Sequence, residues 1–256
     1  MKKMSFWKRM IGNLGQIWAI TTKDLRTYYF NPPMIMFGLA MPVLLFFSFS
    51  MRRAGMSRQM GIMHLMSMIL FFTASTAGPV ILILERRTRT LDRLMTAPLS
   101  MGSLLFGKML VGVLFAVSVT LVPLIVGLTI FHIEIQNPAL LLGAIILSAM
   151  SFSALGIWFG SFPARSVGAV MMPSTLLRWP LLFVSGIFIP LERMPVWART
   201  IARISPLTYA HDAVTHAVSG SGFQSATLDM LLLPVFMILF LFLAVRLYRR
   251  VRKLGY

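Results

Sequence analysis

The sequence predicts an all-α integral membrane protein with six transmembrane helices behind an N-terminal amphipathic helix. Three observations carry this. Of the 256 residues, 57% are hydrophobic and only 12% are charged, about half the charge a soluble domain carries. The mean hydropathy is +0.81, and six apolar runs each approach the roughly 20 residues that cross a hydrocarbon core as helix. Open strands would leave backbone groups unsatisfied in lipid, and a barrel would show shorter, alternating segments.

The first 30 residues are basic and interrupted by polar groups, unlike a secretory signal peptide. Phe6, Trp7, Met10, Ile11, Leu14, Ile17, Trp18, Leu25 and Tyr28 recur at helical spacing, with Lys8, Arg9, Asn13 and Gln16 between them. This pattern predicts a helix over 5–29, either lying in the membrane interface or packed on the protein's own loops. Asn31-Pro32-Pro33 breaks it and starts the first span. Spans are expected at about 34–51, 61–84, 109–131, 139–162, 167–189 and 228–245. Pro42, Pro79, Pro123, Pro173, Pro180 and Pro234 fall inside them and predict kinks with freed carbonyls. Gly156 and Gly160 form a G-x-x-x-G that allows close helix approach. No linker or repeat divides the chain, so 1–256 reads as one membrane domain.

The net charge of +17 would suggest nucleic acid in a soluble protein. Here the cations sit at the ends of apolar runs, where they face lipid headgroups, and no nucleic-acid partner is expected. With six spans, the side holding both termini, the 85–108 loop and Arg165 carries seventeen basic residues, against six on the other side. The positive-inside rule then puts both termini in the cytoplasm. The chain has no cysteine, which excludes thiol catalysis and thiolate metal sites.

The seven acids are Asp24, Glu85, Asp92, Glu134, Glu192, Asp212 and Asp229, and none is expected well inside a span. That argues against an ion-coupled carrier and against carboxylate catalysis within the membrane. His64 and Arg178 are the ionisable groups expected at depth. Arg178 is a candidate substrate-path residue or a snorkelling cation, and His64 reads as structural. His211-Asp212 with His216 has the wrong spacing for a helical histidine pair and reads as a polar external segment rather than a metal site. No G-x-S-x-G appears. The stretch Gly102 to Met109, GSLLFGKM, matches a phosphate loop except that Met109 replaces the required Ser or Thr. It therefore reads as coincidence, with Lys108 anchoring the edge of span three among headgroups.

The segment from Glu85 to Pro98 follows span two. As a helix it would align Glu85, Arg89 and Asp92 on one face and gather Leu91, Leu94 and Met95 into an apolar patch. It suits either a docking surface or a solvated connector. The pattern Glu85-Arg86…Thr90-Leu91…Leu94…Pro98, followed by Leu104-Leu105…Gly107-Lys108, resembles the permease subunits of ABC type-2 exporters. Ser185-Gly186…Pro190 with Pro195, and Ser205-Pro206-Leu207-Thr208-Tyr209, resemble two further elements of that family, while Arg87-Thr88 departs from its usual Lys-Gly turn.

The resemblance implies a pathway formed by two permease copies, identical or related, and driven by two copies of a separate ATPase subunit in a prokaryotic inner membrane. No cofactor would bind this chain directly, and ATP and Mg2+ would be used by the partner, so the chain is not expected to be an enzyme. Glu85, Arg86, Arg89, Thr90, Leu91, Leu94, Met95 and Pro98 would form the ATPase-coupling loop. Gly186, Pro190, Pro195, Pro206 and Tyr209 would lie in short re-entrant helices at an external gate before the last span. Cargo in this family is amphipathic: drugs, lipid-linked glycans or oligosaccharides. The competing classes are a membrane scaffold or assembly factor and a lipid-modifying membrane enzyme. The latter would need a polar cluster at one depth, which the sequence does not display.

Overall fold

The computed structural model describes residues 6–28, 32–50, 57–88, 90, 101–164 and 166–253. Every described element is helical. Helix α1 spans Phe6–Tyr28, α2 Pro32–Ile35, α3 Met41–Ser50 and α4 Arg58–Arg87. Helix α5 spans Met101–Thr129, α6 Pro138–Gly160 and α7 Val167–Val184. A 3-10 turn at Leu191–Arg193 leads to α8 (Val196–Ala202), α9 (Pro206–Ser219) and α10 (Ala226–Lys253). Five helices, α4 to α7 and α10, are long and apolar enough to cross a membrane. The sixth predicted span is the path through α2, a π-helical turn at Met36–Ala40 and α3, which meets the second half of α1 at 91°. Short helices α8 and α9 precede the last span, as the family pattern implied.

Side-chain caps start three spans where the sequence places Ser or Asn. Ser57 accepts from the Met60 amide, Asn137 from Leu140 and Ser166 from Ala169. Span five ends early, at Val184 rather than 189. Gly186, with φ of 94°, turns the chain where only glycine enters without strain. Span three begins earlier than expected, at Met101. Its first two turns are covered by α1, so Lys108 lies within a helix and is fully buried. The reading of Lys108 as a headgroup anchor is thereby corrected. GSLLFGKM is helical from end to end and has none of the loop a phosphate site needs.

Helix α4 is the spine of the bundle. Its most apolar window is 94% buried, against 17% for α10, whose Leu231, Val235, Ile238 and Phe242 face outward. The run Thr73-Ala74-Ser75-Thr76-Ala77-Gly78 lacks bulk, so α6 lies against its backbone. A Cβ at Gly78 would stand 2.4 Å from the Gly156 carbonyl carbon, and one at Gly156 2.5 Å from the Ser75 oxygen. Gly160 meets Gly78 oxygen in the same way. The G-x-x-x-G is therefore a backbone contact, the kind of packing that holds helices together where lipid supplies no hydrophobic drive.

Two of the prolines free carbonyls that other helices satisfy. Pro79 has no N–H for the Ser75 carbonyl, and Arg178 Nη2 of α7 donates to it at 2.8 Å. Pro42 likewise frees the Gly38 carbonyl in the π turn, and the Thr73 hydroxyl donates there. Replacing Gly78 by Ala should cost at least about 1–3 kcal/mol, because the obstructing atoms are backbone and cannot rotate away. Thermal unfolding in detergent checks this. Gly168→Ala, with nothing within 4 Å of the added carbon, should leave the midpoint unchanged.

Candidate functional site

At the end of the bundle where α4 finishes, three helices meet on charge. Lys108 of α5 places Nζ 3.0 Å from Asp24 Oδ2 of α1 and 2.5 Å from Glu85 Oε2 of α4. Lys23 pairs with Glu85 Oε1 and lies 2.7 Å from Asp24 Oδ1. Asp24, Glu85 and Lys108 are fully buried, while the Lys23 side chain keeps 37% of its surface exposed. Two ammonium groups thus face two carboxylates, and the cluster is neutral as a unit. Burying any one of these ions alone would cost several kcal/mol.

The backbone geometry brings α1 this close. The Thr21 hydroxyl donates to the Gly107 carbonyl at 2.9 Å, and a Cβ at Gly107 would lie 3.2 Å from the Ile17 oxygen. Gly107 and Lys108, adjacent in the family-like pattern, thus admit α1 and bind its carboxylate. The neighbouring Arg86 serves the other flank. Its Nη1 donates to the Phe162 carbonyl at 2.6 Å and Nη2 to Ser161 at 3.4 Å, covering the C-terminus of α6. Its guanidinium lies 5.3 Å from the Tyr248 ring of α10. Two consecutive residues, about 100° apart on the helix, therefore tie α4 to four other helices.

The Thr90 hydroxyl meets that of Thr88 at 2.7 Å just past the end of α4. Arg89, Leu91, Leu94, Met95 and Pro98 lie outside the described residues. Glu85, expected to share a helix face with Arg89 and Asp92, points inward to Lys108 and Lys23. The sequence counted only His64 and Arg178 at depth. It missed Asp24, Glu85 and Lys108 because all three lie near helix ends and are buried only where α1 packs against α4 and α5. The signal that would have found them is Asp24 on the same helical face as Ile20 and Thr21, all three buried.

Arg178 is fully buried, with its guanidinium 5.6 Å from the Phe159 ring and one donor on the Ser75 carbonyl. No carboxylate pairs with it among the described residues. Its position is that of a brace across the Pro79 break.

At the opposite end, Gly186 turns the chain out of α7, Pro190 precedes the 3-10 turn, Pro195 starts α8 and Pro206 opens α9. The Tyr209 hydroxyl donates to the Arg203 carbonyl at 2.7 Å and holds the α8–α9 corner. The segment is less exposed than a polar external stretch. His211 is buried, with Nδ1 3.0 Å from the Ser67 hydroxyl and its ring 5.1 Å from that of His64. His64, Gly186, Pro190, His211 and Asp212 line a cavity of about 310 Å³.

Replacing Lys108 by Met should cost about 3–5 kcal/mol, since Asp24 and Glu85 would share only Lys23. Adding Glu85→Gln should recover much of that loss, and a double-mutant cycle of thermal midpoints measures it. Burial, then the neighbouring His64, holds the His211 imidazole well below its ordinary pKa. The unfolded chain therefore takes up a proton that the folded chain refuses, and stability falls as pH drops below about 6.5. His211→Gln should flatten the unfolding midpoint between about pH 7 and 5 relative to the parent.

Residues 15–218 match the family model described as ABC-2 type transporter. Over 99 residues the chain is 34% identical to the daunorubicin resistance ABC transporter permease protein DrrB1 of Streptomyces coeruleorubidus. That match covers 38% of this chain and 33% of the relative, so the chain spans about a third of that protein's length in the comparison. The family match takes in the charge cluster, the spine and the short helices up to Val218, and the chain accordingly belongs to the ABC-2 type transporter family of membrane permeases.

Proposed function

We propose that the protein is the transmembrane subunit of an ATP-driven exporter, acting as a dimer of permease chains with two copies of a separate ATPase subunit. The observation that carries this reading is the convergence of α1, the end of α4 and the start of α5 on one buried ion-pair cluster. Glu85 and Lys108 stand on either side of the 88–100 connection in the chain, so a force on that connection reaches α4 and α5 through their ion pair.

Leu91, Leu94 and Met95 supply the apolar docking patch in this scheme. Arg89 and Thr90 border it, and Pro98 ends it. Glu85 and Arg86 act inward as the roots that carry ATPase closure into the spans, a differential affinity for two states. Both termini face the cytoplasm, which the excess of basic residues at that end supports. Gly186, Pro190, Pro195, Pro206 and Tyr209 shape the outer gate. Arg178 stiffens α4 rather than binding cargo, as its contact with the Ser75 carbonyl supports. The chain carries out no ATP chemistry itself. The cargo is an amphipathic molecule of drug type, a class that the name of the Streptomyces relative supports.

The test is a search for a gene of a Walker-type ATPase beside the permease gene, then co-expression of the two proteins, co-purification and measurement of drug-stimulated ATP hydrolysis in vesicles. Leu94→Asp should abolish capture of the ATPase and export while leaving insertion intact. Full export by this variant at normal expression would sink the proposed docking surface.

A further inference from the structure

We propose that Asp212, His216 and Asp229 form a binding site for one divalent transition-metal cation that staples α9 to the start of the last span. Asp212 and His216 lie one turn apart on the same face of α9, and Asp229 comes from the first turn of α10. One ligand atom from each lies within 4.8 Å of the other two.

Asp229 is the observation that calls for a ligand. Its side chain is fully buried, and neither oxygen accepts a hydrogen bond. The ion pairs among the described residues all belong to the cluster at the other end of the bundle, so neither aspartate has a Lys or Arg partner there. Two carboxylates this close repel each other unless something positive stands between them. A divalent cation neutralises both, and an imidazole with two carboxylates suits Zn2+ and its neighbours better than Ca2+ or Mg2+.

The surroundings already orient the donors. Asp212 accepts from the Phe223 and Gln224 amides, both at 2.7 Å, and His216 Nε2 contacts the Gln224 carbonyl. Contacts of this kind fix metal ligands from behind. The loop between α9 and α10 wraps around the site, starting from Gly220 in the left-handed conformation. The i to i+5 spacing of His211 and His216 hides the arrangement in the sequence. His211 turns away to Ser67 and His64, and its place is taken by an aspartate seventeen positions downstream of Asp212.

The experiment uses the full chain, purified in detergent on a tag without histidine and stripped by chelator and dialysis. Zn2+ is titrated by calorimetry, Co2+ by visible absorption, and the unfolding midpoint is read with and without Zn2+. One saturable site per chain and a raised midpoint are expected. Asp229→Asn, which removes a buried charge and should fold, and His216→Gln should each weaken binding about tenfold or more. Glu134→Gln, an exposed acid, should leave it unchanged. The absence of saturable binding to the parent chain, or binding undiminished in Asp229→Asn, overturns the proposal. A midpoint that does not respond to Zn2+, with a pH response that Asp229→Asn removes, also overturns it and assigns a shared proton to the two carboxyl groups.

Discussion

A lysine buried between two carboxylates sets the terms for one end of this bundle. Lys108, Asp24 and Glu85 are out of water, so each is compensated only while the others hold position. That requirement lays α1 across the start of α5, and Gly107 leaves room for it. One face of α1 packs on the protein's own helices and the other is left open. Ile20, Thr21 and Asp24 pack inward, while Trp18 remains 64% exposed on the other side, a placement typical of tryptophan at a membrane interface.

The same economy of unpaired groups governs the interior. In lipid a freed carbonyl has no water to turn to, so a proline in a span needs a donor from elsewhere. Arg178 supplies one behind Pro79 and Thr73 supplies one behind Pro42. An arginine within a span reads naturally as a cargo contact, and its contact here is one missing backbone hydrogen bond. The small residues of α4 follow from a similar need. They bring α6 close enough for backbone contact, and Ser153 then donates to the Met109 carbonyl of α5 at 2.7 Å.

Much of the fold was legible because hydropathy and helix punctuation are local signals. Span positions, the bend at the start of the first span, the G-x-x-x-G contact and the short helices before α10 all follow from stretches of a few residues to about 20. The candidate sites were less legible, because they assemble from distant positions. Glu85 and Lys108 stood together in the family-like pattern, yet Asp24 lies 84 positions before Lys108 and carries no motif of its own. Lys108 itself resembled a headgroup anchor until α1 was placed over it. Asp229 and Asp212 meet only because a loop returns α10 onto α9. Charge counting sorts residues by side of the membrane, but it cannot register a cation that has turned inward.

The bundle's two polar ends are joined by one element. Helix α4 carries His64 and Ser67 against His211 at one end, and Glu85 and Arg86 at the other. Between them lies Pro79, which alone would make a hinge. Arg178 and the glycine contacts with α6 close that break, so α4 is braced where it would otherwise bend. A displacement of the Glu85 end therefore moves the His64 end with it more readily than it bends the helix. In the proposed exporter, force from an ATPase at one end reaches the outer gate through this braced helix. No mid-membrane acid is required, in keeping with spans that place their charged clusters at the two ends.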